Sequence, residues 1–459
     1  MKDLTQGPIP RHVAELSIPM AVGMLVQTLY YFIDLYFVAK LGDVAIAAVS
    51  SAGTVFFIAL ALTQVLSVAT VALVSQAVGR KDQAEANMAF NQSVVMAALC
   101  TIGTLVVGYL LADPYMRLVG ADEPTRAAGR TFLHWFIPGL ALQFPMVVMS
   151  SGLRGTGIVK PGMIVQMVTV LINAVLAPVL IAGWGTGHPL GVAGAALATT
   201  VASAAGVILL AIYFVRLEKY VHFESALWRP RMDVWKRMLV VGLPAGGEFL
   251  LLGIFTGILY WITGRVGAHA QAGFGVASRI MQMIFLPAMA IAFSAAPLAG
   301  QNYGARRADR VRETFRVSVL ASCVVMLAMT GLCQVAGEAM VRFFATEPEA
   351  IAVGTEFLRV ISLNFFAMGI VWTCSSMFQG MGNTLPSLAS SAMRLVTFAV
   401  PAIWMSLQPD FQLLHIWYLS VVTVLLQAGV SVWLLRREFA KRLGSDLVER
   451  GQTSRSVPK

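Results

Sequence analysis

The sequence predicts an all-α integral membrane protein: twelve transmembrane helices in two six-helix bundles related by a pseudo-twofold axis. Three observations carry that expectation. The 459 residues are 58% hydrophobic and only 12% charged, with a mean hydropathy of +0.75, which excludes an ordinary soluble protein. Apolar runs of spanning length follow one another with short polar gaps. The chain also repeats itself at a constant spacing of 225 residues, pairing Pro19 with Pro244, Gly42 with Gly267, Gln76 with Gln301, Gly79 with Gly304, Gly155 with Gly380 and Pro161 with Pro386. An internal repeat of this length in an apolar chain is the signature of a transporter built from two related halves.

The spans are expected near 14–41, 45–75, 89–112, 130–151, 161–183, 190–216, 237–263, 270–299, 314–335, 352–378, 385–407 and 412–435. Several exceed the roughly 20 residues a bilayer needs, so tilt or extension beyond the membrane is expected. The first run is too long for a cleaved signal peptide and holds Asp34. A charged stretch at 217–236 is the long polar segment between spans, so the chain divides into an N-terminal bundle at 1–216, a connector at 217–236, a C-terminal bundle at 237–440 and a tail at 441–459. Six spans return the chain to its starting face, which places the pseudo-twofold axis along the membrane normal. Each half has a polar loop after its second span, Gln76-Ala77-Val78-Gly79-Arg80-Lys81 and Gln301-Asn302-Tyr303-Gly304-Ala305-Arg306. Each glycine is expected to end its helix in the left-handed conformation.

A net charge of +10 resembles a nucleic-acid footprint, but its distribution argues otherwise. Arg80, Lys81, Arg154, Lys160, the basic residues of 216–237, those of 306–316 and the tail all fall on one face of the expected topology. That is the positive-inside pattern, with both termini cytoplasmic in a plasma (inner) membrane and basic groups against anionic lipid headgroups. No nucleic-acid partner is expected. Cys100, Cys323, Cys333 and Cys374 lack metal-ligand spacing and read as packing residues. No cofactor and no metal are expected, and the chain reads as a monomer.

The repeat, the Q-x-x-G-x-(K/R) loops, the (R/Q)-G-x-G-x-x-x-x-P loops and the stretch Gln27-Thr28-Leu29-Tyr30-Tyr31-Phe32-Ile33-Asp34 resemble the multidrug and toxic compound extrusion (MATE) transporters. The resemblance runs from about Pro19 to about Arg436. It implies two bundles in a V shape that export amphipathic, often cationic drugs in exchange for H⁺ or Na⁺.

Asp34 lies mid-span between apolar neighbours. A carboxylate at that depth costs roughly 3 kcal/mol on insertion scales, so it should face a cavity or a partner. Taking up a proton removes that cost, which suits a proton carrier; the bland alternative is a structural carboxylate bonded to neighbouring helices. Tyr30 lies one turn earlier on the same face. The resemblance adds Asn173 and Thr199 to a polar nest around Asp34, while Ala177 stands where the family usually has a second aspartate. Losing that carboxylate weakens a Na⁺ site, since hard cations want several oxygens and charge neutralisation. In the second half, Glu248 follows Pro244-Ala245-Gly246-Gly247 and reads as a substrate or gating residue, with a capped interfacial glutamate as the alternative. Arg279 and Gln27 join it as substrate or gating candidates. Arg394 is a further intramembrane cation, for which Glu248 is a possible partner and snorkelling to the cytoplasmic interface is the alternative. Met368 occupies the place of a tenth-helix aspartate found in one branch of the family.

Two other functions compete. A lipid-linked oligosaccharide flippase of a related superfamily would need several cations to hold pyrophosphate, and the central spans offer Arg279 and Arg394. An intramembrane enzyme would need a Ser–His, paired-Asp or metal constellation within the spans, and His134 and His415 lie near span ends, far apart in sequence.

Overall fold

A computed structural model describes the chain from Met1 to Leu443 except residues 121 and 186, with the side chains of 30–35, 39, 43 and 51–57 also outside the described set. Among the described residues there is helix and no strand, as expected where lipid leaves backbone groups no other partner. Twelve helices among the described residues are long and apolar enough to cross a membrane. In chain order they are α1 (Ile9–Ala39), α2 (Asp43–Gly79), α3 (Gln83–Val119), α4 (Glu123–Gly155), α5 (Lys160–Ala182), α6 (Val192–Arg216), α7 (Met232–Val266), α8 (Ala268–Gly304), α9 (Ala308–Arg342), the pair α10 (Pro348–Ile361) and α11 (Phe365–Gly380), α12 (Leu385–Ser406) and α13 (Leu413–Leu443). The helices run beyond the apolar runs because capping groups, not hydropathy, end them. Asp82 accepts from the backbone N–H of Glu85 at 2.9 Å, and Asp122 from that of Thr125 at 2.9 Å, each satisfying an orphan donor of a first turn.

The tenth span is interrupted. Ser362–Asn364 forms a 3-10 turn between α10 and α11. Two α9 side chains hold the exposed backbone there: Thr330 donates to the Ser362 carbonyl at 2.7 Å, and Gln334 donates to the Arg359 carbonyl at 2.7 Å and to Ser362 Oγ at 2.9 Å. Interrupted helices survive at membrane depth when neighbouring side chains satisfy the freed groups.

The loops after α2 and α8 differ from expectation. The left-handed residues are Lys81 (φ 60°) and Arg306 (φ 55°), not Gly79 and Gly304. Each loop closes through a six-to-one bond, Asp82 N–H to Ala77 carbonyl at 3.0 Å and Arg307 N–H to Asn302 carbonyl at 2.9 Å. These bonds recover carbonyls that the helix end leaves free and offset the cost of the left-handed basic residue. Glycine takes the same role in the second loop pair, at Gly157 (φ 80°) and Gly382 (φ 73°). The paired Gly155 and Gly380 serve packing instead. A Cβ at Gly155 would sit 2.8 Å from the Val74 side chain on α2, and one at Gly380 would sit 2.5 Å from the Ala296 carbonyl on α8.

The chain forms two compact units. Unit 1 comprises Met1–Asp3 and Val22–Gly246, unit 2 Leu4–Ala21 and Gly247 to the chain end. The divisions fall inside α1 and α7, shortly after Pro19 and Pro244, rather than at the connector where the sequence divides the chain. Both divisions obey the 225-residue spacing. Unit 1 is cored by Leu73, Phe90, Leu153 and Phe214, unit 2 by Phe274, Phe357, Phe365 and Trp417.

The connector belongs to unit 1, where amide side chains of α3 hold it. Asn91 accepts from the Glu224 N–H at 2.9 Å and the Trp228 indole at 3.1 Å, and donates to the His222 carbonyl at 2.9 Å. Gln92 donates to the Leu227 and Arg229 carbonyls at 2.6 and 2.9 Å. The N-terminal strap belongs to unit 2: the Leu4 N–H donates to Gln301 at 2.9 Å, and Arg307 donates to the Thr5 carbonyl at 2.8 Å.

Candidate ion and substrate sites

In unit 1, α5 presents Asn173 and α6 presents Thr199. The run Gly194-Ala195-Ala196 lets α6 approach α5 closely; a Cβ on Gly194 would lie 2.4 Å from the Leu180 carbonyl. That approach brings the Asn173 amide to donate to Thr199 Oγ1 at 3.2 Å. The threonine passes its own proton to the Ala195 carbonyl one turn back, at 3.3 Å. Two of the residues singled out from sequence therefore meet. Ala177 is fully buried among Ile137, Ile181 and Ala196, so a methyl group packs where the family often has an acid. Asp34 and Tyr30 lie on α1, but their side chains fall outside the described residues.

Unit 1 also holds a cluster that sequence reasoning passed over. Arg154, read as a loop cation, is the penultimate residue of α4. Its guanidinium donates to Ser67 at 2.7 Å and Ser151 at 2.8 Å, while its Nε is buried without a partner.

In unit 2, Glu248 on α7 is the acceptor of a serine cage. Ser375 on α11 donates to one carboxylate oxygen at 3.0 Å, and Ser387 and Ser391 on α12 donate to the other at 2.8 and 3.3 Å. A second layer orients the serines. Gln379 donates to Ser375 at 3.3 Å, and Gln427 on α13 donates to Ser391 at 3.2 Å. Ionised carboxylates accept only, so three converging hydroxyl donors fit Glu248 as an acceptor. Ser387 and Ser391 are one turn apart, but the sequence did not show that they and Ser375 all aim at one acid.

The remaining candidates do not join this cage. Arg279 on α8 and Gln27 on α1 are both exposed. Arg394 forms no ion pair with Glu248; its guanidinium lies 4.3 Å over the Phe255 ring, with Nη1 3.8 Å from Met368 Sδ. Among the described residues no group of three metal-ligating side chains converges.

Twelve apolar spanning helices, repeated in two halves and carrying a few polar clusters inside the spans, define a multi-pass membrane transporter. The chain belongs to the MatE family, whose model matches it twice, over residues 19–179 and 244–405. The two matches begin 225 residues apart, the spacing of the repeat, and members of this family are transporters rather than enzymes. Among its relatives is the "Probable multidrug resistance protein YpnP" of Bacillus subtilis (strain 168), 28% identical over 388 residues, covering 82% of this chain and 85% of that one. The "Multidrug export protein MepA" of Staphylococcus aureus (strain NCTC 8325 / PS 47) is 25% identical over 394 residues, covering 84% and 86%. Among solved structures, an outward-facing multidrug resistance MATE family transporter of the MOP superfamily superposes with a TM-score of 0.91 at 24% identity, covering 97% of this chain and 99% of that one. A MOP superfamily transporter from Pyrococcus furiosus, described as having a binding pocket of reverse polarity, superposes at 0.89 with 24% identity, covering 95% and 97%. These likenesses establish the fold.

Proposed function

We propose that this protein is a secondary active multidrug exporter, moving amphipathic organic cations outward in exchange for H⁺ across the plasma (inner) membrane, with both termini cytoplasmic. The observation that carries this reading is the MatE match over both halves, together with relatives named for multidrug export.

Asp34 is the proton carrier in this reading, with Tyr30, Asn173 and Thr199 forming its polar surroundings. An intramembrane acid is costly when charged and is therefore functional by default. The Asn173–Thr199 bond supports it by supplying a polar spot within unit 1. Ala177 and Met368 favour H⁺ over Na⁺, because each puts an apolar side chain where a carboxylate would neutralise a metal cation. Protonating Asp34 shifts the balance between inward-open and outward-open states. Coupling requires only that H⁺ and drug bind those states with different affinities. Glu248, Arg279 and Gln27 serve substrate binding or gating.

The test is ethidium efflux from proteoliposomes under an imposed pH gradient or an imposed Na⁺ gradient, run separately. The pH gradient alone should drive transport, and Asp34→Asn should abolish it. Full proton-driven efflux by Asp34→Asn overturns the assignment of the carrier, and transport driven by Na⁺ alone overturns the ion.

A further inference from the structure

Arg394 lies on α12 one helical turn beyond Ser391, a serine of the Glu248 cage. Phe255 lies two turns beyond Glu248 on α7, and Met368 two turns from Ser375 on α11. At 1.5 Å per residue, the guanidinium layer therefore stands about 5–10 Å along the bundle from the carboxylate layer. Every polar contact of the guanidinium is accounted for. It has the Phe255 face at 4.3 Å and the Met368 sulfur at 3.8 Å; Nε is buried with no acceptor, and the residue as a whole is only half-buried. Among the described residues no carboxylate oxygen comes within 4.0 Å. Glu248, the acid on the adjoining layer, is committed to three hydroxyls.

An arginine inside a membrane bundle normally faces a counter-charge, because an unpaired buried charge is costly. Stacking on one ring recovers part of that cost. The Phe255 ring is itself braced by Phe398, with centroids 4.6 Å apart, so the guanidinium is held in place rather than left to swing. A fixed guanidinium with a free edge, bedded on an aromatic ring and an adaptable methionine, is suited to receive a planar anion in two-pronged fashion.

We infer that Arg394 is an anion-recognition point in unit 2, taking the carboxylate of amphipathic aromatic substrates. This rests on the exporter reading and names the residue that would select, among its substrates, those that carry an acid. The chain supplies the positive charge and the cargo supplies the negative one.

The probe pair is an aminoxanthylium dye bearing a free benzoate and its methyl ester, which differ in the carboxylate charge. Binding of each to the full chain is measured by fluorescence polarisation in nanodiscs of neutral phosphatidylcholine, without any ion gradient. The unsubstituted protein should bind the acid about tenfold or more tightly than the ester, the range expected for a charge-assisted bidentate contact. In Arg394→Gln the ratio of the two Kd values should fall to near one; Arg394→Lys should keep an intermediate ratio, since the charge remains but the fork is lost. A ratio near one in the unsubstituted protein overturns the inference, and that measurement depends on no variant folding. A ratio unchanged in Arg394→Gln overturns it too, as does a common loss of both dyes. A repeat in phosphatidylglycerol discs separates a second source of the same chemistry: if anionic lipid abolishes the preference for the acid, a lipid phosphate occupies the site and the substrate assignment falls. Because no gradient is applied, failure of proton coupling leaves this result intact, and the reverse also holds.

Discussion

Removing the Glu248 carboxylate should strand three hydroxyl protons at once, and the size of the penalty follows from the cage. Ser375 and Ser391 each receive an amide donor, from Gln379 and Gln427, and spend their single proton on Glu248. Leaving a buried donor without its acceptor costs about 1–3 kcal/mol. Glu248→Ala should therefore lose about 3–5 kcal/mol, in the range for breaking a buried charged network. Single serine-to-alanine changes should cost about 1–2 kcal/mol each, with Ser387 (2.8 Å) above Ser391 (3.3 Å). The decisive measurement is a double-mutant cycle. Glu248→Ala combined with Ser387→Ala should cost no more than Glu248→Ala alone, because the second change removes a donor the first has stranded. The coupling should reach about 1 kcal/mol or more. Reversible SDS-induced unfolding in mixed micelles reads all four proteins. Simple additivity would refute the argument that these hydroxyls converge on one acid.

Other expectations follow from packing, capping and charge. Gly380→Ala, whose methyl would meet the Ala296 carbonyl at 2.5 Å, should cost about 1–3 kcal/mol, whereas Gly331→Ala on α9, with open space around it, should be neutral or stabilising by up to about 1 kcal/mol; thermal unfolding compares them. Asn91→Leu removes three hydrogen bonds to the connector, so limited trypsin digestion should cut at Lys219 or Arg231 at least severalfold faster than in the unsubstituted protein. Hydrogen bonds from Thr125 hold the exposed Asp122 carboxyl below the ordinary aspartate range. Its cap on α4 is therefore in force above that ordinary range and lost as pH falls through the lowered value. Protection factors in the first turn of α4, referred to the intrinsic exchange rate at each pH, should fall in acid, and Asp122→Asn should flatten that dependence.

The architecture was legible because its two signals are long. Hydropathy integrates over a whole span, and the 225-residue spacing recurs at many positions, so local errors do not accumulate. What stayed hidden depends on single side chains acting across helices. The turn at Ser362–Asn364 exists because Thr330 and Gln334 reach it from α9, and nothing within 348–380 announces that. Likewise the left-handed residue lies at Lys81, two residues past Gly79, because Arg80 still holds right-handed helical angles. At the candidate sites the sequence found the ionisable groups, Glu248 and Arg394, and the Asn173–Thr199 pair. It did not find the serines that claim Glu248, because hydroxyl residues are common in spans and their aim is set by helix rotation. Arg154 was hidden differently: it was read with the loop that follows it, whereas it closes α4, so its contact with Ser67 was invisible.

The divisions inside α1 and α7 carry a historical consequence. In each half the opening stretch of the first helix, 4–21 or the residues up to Gly246, belongs with the other half's bundle. A forebear made of one repeat could not have completed its own bundle; it needed the lent half-helix of a second copy, which is domain swapping. Gene duplication and fusion would then have tied together two partners already unable to fold apart. On that history the connector marks the join, and a chain cut there should still assemble when both fragments are made in the same cell.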